Sequence, residues 1–138
     1  MFKRLLLLGF LSGILAGASA LIYQKVYSTS VGVDFSAIAR PAGIMVTSII
    51  GGIIAACGYW ILNKWLKEKT EIVFNFIFVI LSFASILPAF AFKLPLDATS
   101  PELFPGLVIP MHFFPALAFF TLEPLFIKIS EKTKSTVA

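Results

Sequence analysis

Residues 5–23 read LLLLGFLSGILAGASALIY, an uncharged run with glycine at positions 9, 13 and 17. The hydrocarbon core of a bilayer is about 30 Å thick, and a helix rising ~1.5 Å per residue crosses it in about 20 residues. Inside lipid every backbone N–H and C=O must be satisfied within the segment, which a helix does. Three more apolar stretches of that length follow, at 43–65, 72–92 and 107–129. The four spans predict an all-α integral membrane protein, a four-helix transmembrane bundle that forms one domain over residues 1–138.

Composition agrees. The chain is 59% hydrophobic and only 13% charged, against about 25% charged in a soluble domain. A net charge of +4 invites a nucleic-acid reading, but the basic residues sit at the ends of the apolar runs, where they set topology. Nucleic acid is therefore not an expected partner. Lys3, Arg4, Lys64, Lys67, Lys69, Lys128, Lys132 and Lys134 fall on one side, and only Lys25, Arg40 and Lys93 on the other. By the positive-inside rule both termini and the 66–71 turn face the cytoplasm, with the loops at 24–42 and 93–106 outside. Lys3-Arg4, the apolar run and Ala18-Ser19-Ala20 also resemble a signal peptide; the expectation is a retained first span. Cys57 is the single cysteine, so it reads as a small hydrophobe.

The glycines of the first span form GxxxGxxxG, a groove that lets another backbone approach closely. Span two carries two small-residue rows, Thr47-Gly51-Ala55 and Ser48-Gly52-Ala56. Gly9, Gly13, Gly17, Gly51 and Gly52 are thus the expected helix-packing residues, either between spans one and two or along a homodimer seam. In span three Asn75, Ser82, Ser85 and Ala89 share a broad face, and Pro88 predicts a kink. Pro110, Pro115 and Pro124 make span four the irregular helix, with carbonyls freed from helical bonding. In the first outer loop Asp34 is placed to cap a short turn ahead of Pro41.

Span four also carries two ionisable residues, His112 and Glu123. Eleven steps along an unbroken helix are three turns plus about 20°, so both would share one face, about 16 Å apart. A carboxylate within the bilayer costs at least ~2.5 kcal/mol at its centre and faces the bundle interior or water. Asn63 and Asn75 lie at the depth of Glu123, and Ser85 at that of His112, which defines a candidate ligand or proton site of His112, Glu123, Asn75, Asn63 and Ser85. No second histidine or neighbouring cysteine completes a metal site, no catalytic set converges, and no cofactor is implied.

Leu81-Ser82 followed by Pro88, and Met111-His112 opening the last span, resemble a group of uncharacterised four-span bacterial membrane proteins. The resemblance covers about 45 residues of the second half. It implies the same architecture in a bacterial cytoplasmic (inner) membrane and carries no activity. The expected function is non-enzymatic: a partner subunit, or a binder of lipid or another apolar small molecule, with its pocket near His112 beneath the 93–106 loop. The alternatives are a proton-coupled transporter or permease subunit using Glu123 and His112, and a membrane-embedded enzyme on an apolar substrate. Expected partners are the lipid bilayer, another membrane protein or a second copy, and an apolar small molecule.

Overall fold

The computed structural model describes residues 1–94 and 100–137, with side chains described as far as residue 127. Pro95, Leu96 and Asp97 of the second loop, and the side chains of Lys128, Glu131, Lys132 and Lys134, lie outside the described residues. Among the described residues all regular structure is helical: α1 (Phe2–Val31), α2 (Pro41–Leu66), α3 (Thr70–Ala84), α4 (Leu87–Ala91), α5 (Phe104–Met111) and α6 (Phe114–Val137). Three helical stretches are long and apolar enough to cross a membrane: Phe2–Val31, Pro41–Ala91 and Pro101–Ile127.

The glycine and proline positions explain the boundaries. α1 runs eight residues past Tyr23 and stops where Gly32 takes a left-handed φ of 73° and donates its N–H to Ser28 O, a conformation open to glycine at no steric cost. The first loop is therefore 32–40 rather than 24–42. α2 opens on Pro41, whose missing N–H is harmless in a first turn. It ends at Lys67, at φ 48°, in a tight turn where the Thr70 hydroxyl donates to Lys67 O at 2.6 Å. Across this turn Tyr59 packs on Phe74, and Gly51 and Ser82 line a shared space, as do Thr47 and Ser85. The paired numbers sum to nearly the same value, so α2 and α3 run antiparallel.

Proline splits both later spans. Pro88 lacks an N–H and its ring crowds the carbonyl four residues back, and α3 ends four residues back, at Ala84. The same relation places the end of α5 at Met111, four residues before Pro115. The expected kink at Pro88 is thus a break three residues earlier. The stretch before α5 holds a short 3-10 turn over Pro101–Leu103. α5 itself starts at Phe104 with Pro105 in its first turn, three residues ahead of the expected span.

The centre of the molecule is the α1–α2 pair, with α6 packed on the other flank of α1. Here the two rows on α2 part company. A Cβ on Gly9 would strike Gly52 O and the Ala56 methyl, one on Gly13 would lie 2.5 Å from Ile49 Cα, and one on Gly52 would strike Gly9 O. Gly9 and Gly13 of α1 therefore lie against the Ser48-Gly52-Ala56 side of α2, and Gly17 against Met45. A Cβ on Gly51 would meet nothing within 4 Å, so it is not the close-packing residue its sequence position implied.

Two apolar clusters flank this seam. Leu5, Leu8, Ala56, Tyr59, Phe74 and Phe119 are buried toward the end that carries Met1 and the Lys67 turn. At the opposite, loop end, Phe35 is buried with Phe104 and Leu107. Asp34 positions Phe35 as expected: its carboxylate accepts the Ser36 N–H at 2.8 Å and the Ser36 hydroxyl at 3.0 Å. These two bonds hold the Asp34 carboxyl below its ordinary value. The outward surfaces stay apolar, with Trp65 81% and Ile72 76% exposed, a surface that suits lipid rather than water.

Adjacent glycines give opposite outcomes. Gly52→Ala should lower stability by roughly 1–3 kcal/mol, the usual cost of overpacking a closed contact. Gly51→Ala should be neutral or gain up to about 1 kcal/mol through helix propensity. Unfolding followed by circular dichroism in detergent separates them; equal effects would show that the two rows are not distinguished.

Candidate functional site

Between α2 and α3 lies a crevice of about 650 Å³, walled in part by the row of α2 that α1 leaves uncovered. Thr47, Gly51, Ala55 and Gly58 form one wall; Phe78, Ser82 and Ser85 form the other; Val108, His112 and Pro115 close the back. The crevice exists for a steric reason. At the turn end Tyr59, Phe74 and Phe119 wedge the helices together, with ring centroids 5.1 to 6.5 Å apart. Beyond them the face that α2 turns to the crevice is mainly small, with Thr47, Ser48, Gly51, Ala55 and Gly58 beside Ile44 and Ile54. Among the described residues no Lys, Arg, Asp or Glu lines the space.

Three of its four hydroxyls, those of Thr47, Ser82 and Ser85, are turned back on their own helices. Thr47 Oγ1 donates to Gly43 O at 2.8 Å, Ser82 Oγ to Phe78 O at 2.8 Å, and Ser85 Oγ to Ser82 O at 2.7 Å. His112 follows the same pattern, with Nδ1 2.8 Å from Val108 O. A carbonyl only accepts, so Nδ1 carries the proton. The break before Pro115 creates this acceptor: the His112 N–H bonds Ile109 O instead of reaching Val108 O. The His112 ring thus bonds within its own helix and not to Ser85, the residue at its depth in span three.

Two tyrosines seat α5 on α1. Pro110 has no N–H to give Gly106 O, and the Tyr23 hydroxyl donates its O–H there instead, at 2.8 Å. The Tyr27 hydroxyl donates to Leu103 O at 2.7 Å. Both side chains thereby satisfy backbone carbonyls at the start of the proline-rich span.

The five candidate residues do not converge. His112 and Ser85 share the crevice. Glu123 is 4% exposed on the buried face of α6 with Ala116 and Phe119; it engages its neighbours there and does not line the crevice. The helix break at His112–Phe113 interrupts the eleven-residue count that put it on the face of His112. Asn63 lines a smaller cavity of about 320 Å³ at the turn end, with Met1, Arg4, Glu68 and Glu71, and its amide oxygen accepts from Thr70 at 3.4 Å. Asn75 lies in a shallow apolar depression among Ile72, Val73 and Phe76. Lys64 sits over the Trp60 ring at 3.7 Å. No cluster of metal-ligating side chains forms among the described residues.

One residue escaped the sequence reading. Gln24 is 6% exposed, and its Nε2 donates to Ala39 O at 2.7 Å, tying α1 to the loop before α2. Its signal was its spacing: it continues the Gly13, Gly17, Ala20 face by one further turn.

No protein-family model matches this chain, and neither curated proteins nor solved structures yield a match.

The tyrosine clamp makes a compensation testable. Tyr23→Phe should cost about 1 kcal/mol, a typical net hydrogen bond, with Gly106 O left to solvent. Pro110→Ala restores an N–H four residues along, so in that background Tyr23→Phe should cost markedly less. A double-mutant cycle on unfolding free energies measures the difference; strict additivity would exclude the exchange.

Proposed function

We propose that this chain is a small, non-enzymatic, multi-pass protein of the bacterial cytoplasmic membrane that takes an apolar molecule from the bilayer into the crevice beside His112. The observation that carries the reading is the crevice itself. It is of ligand size, bounded by a small-residue row that no helix covers, and free of charged side chains. In this reading α1, α2, α3–α4 and α5–α6 make four crossings as a four-helix bundle. Both termini and the Lys67 turn lie in the cytoplasm, as the eight-to-three division of basic residues supports. The likeness of the second half to uncharacterised four-span bacterial proteins supports the same topology.

The alternatives have less to stand on. A proton path would need Glu123 and His112 in one polar channel, and they line different surroundings. An enzyme would need a carboxylate beside His112, and the crevice holds none among the described residues. A second copy could not use the GxxxGxxxG face, which α2 occupies.

Filling the crevice tests the reading without breaking the fold, because a side chain at position 51 meets open space. Gly51→Leu should cut labelling by a photoactivatable alkyl-diazirine probe about tenfold, the equivalent of ~1.4 kcal/mol, with the melting curve unchanged. Undiminished labelling would remove the crevice as the site. Topology is tested separately on a Cys57→Ala background in intact cells. A membrane-impermeant thiol reagent should label Ser36→Cys at once and Glu68→Cys only after permeabilisation. Labelling of both from one side would overturn the four crossings.

A further inference from the structure

The hydrogen-bonding state of the crevice narrows what it binds, an inference that rests on the proposed lateral binding. Thr47, Ser82 and Ser85 each spend their single hydroxyl proton on a backbone carbonyl of their own helix. His112 spends its Nδ1 proton on Val108 O. What these four present to the crevice is lone pairs: three hydroxyl oxygens and, in the neutral ring, Nε2. Ser48, also in the lining, is the one hydroxyl there without an internal acceptor, so it can donate.

Anionic headgroups need cations or several free donors, and the lining has neither. An ester, ketone or ether offers acceptors only and would set lone pair against lone pair. An alkyl chain alone would leave the imidazole nitrogen unpaired in an apolar setting, which is unfavourable. A hydroxyl both gives and accepts, and so answers the acceptor row and Ser48 together.

We infer that the crevice selects an uncharged amphiphile with a hydroxyl head, a long-chain or isoprenoid alcohol or a glyceride with a free hydroxyl, and discriminates against the matching ether and the matching phosphate. His112 Nε2 is the principal acceptor, because the imidazole nitrogen is the strongest base in the lining. His112 is here a specificity residue, with no bond made or broken.

The test compares 1-hexadecanol, hexadecyl methyl ether and hexadecyl phosphate as competitors of the alkyl-diazirine probe on the full-length protein in nanodiscs. The alcohol should compete about tenfold better than the ether, the scale set by one hydrogen bond whose loss leaves a buried acceptor unpaired. It should exceed the phosphate by at least as much. His112→Phe should bring alcohol and ether to within about twofold, leaving binding of the ether itself little changed. Alcohol and ether competing equally, both in a manner sensitive to Gly51→Leu, would overturn the donor requirement and leave lateral binding standing. Stronger competition by the phosphate would do the same. Competition by none of the three would overturn both. The wild-type comparison alone decides the matter if His112→Phe fails to fold.

Discussion

The structure depends on the contact of two backbones. Where α1 crosses α2, Gly9 and Gly52 leave no room for a Cβ on either helix. In lipid, helix association is driven by van der Waals packing and interhelical hydrogen bonds rather than by exclusion of water. A long, close backbone contact is therefore the strongest packing the chain can make. With α2 fixed by its Gly52 row, its Gly51 row necessarily points elsewhere, and α6 docks on the remaining flank of α1. The crevice is the geometric remainder of that contact: the same helix that is glued along one row is left bare along the other.

The second constraint is the accounting of carbonyls in the proline-rich half. A chain that breaks its helix within a membrane must find other donors for what it frees. Here the donors come from aromatic side chains. Tyr23 serves Gly106 O and Tyr27 serves Leu103 O, while the His112 imidazole serves Val108 O. The tyrosine bonds cross from α1 and hold α5 in place behind the crevice. The His112 bond is local and fixes the tautomer. Helix breaking and site formation are therefore one event: without the break before Pro115, Val108 O would accept an ordinary helical N–H and the ring would have no fixed orientation.

Much of this was legible from the amino-acid order, and the gaps have physical causes. The apolar runs at 5–23 and 43–65 fall within α1 and α2, because length and hydropathy are enough to specify a helix in lipid. The Asp34 turn was readable because an Asx turn is local. The later two spans were read as single helices. Whether a proline bends or breaks a membrane helix depends on what its neighbours can donate, which sequence does not display. Nor could residue type decide between Gly51 and Gly52, which are adjacent and identical; the partner's groove chose. The pairing of His112 with Glu123 failed because angular counting assumes an unbroken helix, and Phe113 lies between two. Gln24 was passed over because the first span was ended at Tyr23, although the helix continues to Val31.

Why the crevice stays open follows from the solvent. In water, two apolar walls facing across a gap would be driven together, at about 25 cal/mol for each Å² removed from contact with water. In a bilayer that force is absent, since acyl chains cover apolar walls as well as protein does. Closure would then require either complementary packing or hydrogen bonds between α2 and α3. The first is denied by the small residues at Thr47, Gly51 and Ala55. The second is denied because the facing hydroxyls of Thr47, Ser82 and Ser85 are already committed to their own backbones. The Tyr59–Phe74 contact and the Thr70–Asn63 hydrogen bond hold α3 to α2 at the turn end, and under the proposed function hydrocarbon from outside fills the gap beyond them. Under the proposed selectivity, a hydrocarbon chain bearing a hydroxyl fills it best, because it also meets the acceptors that the closed hydroxyl pattern leaves behind.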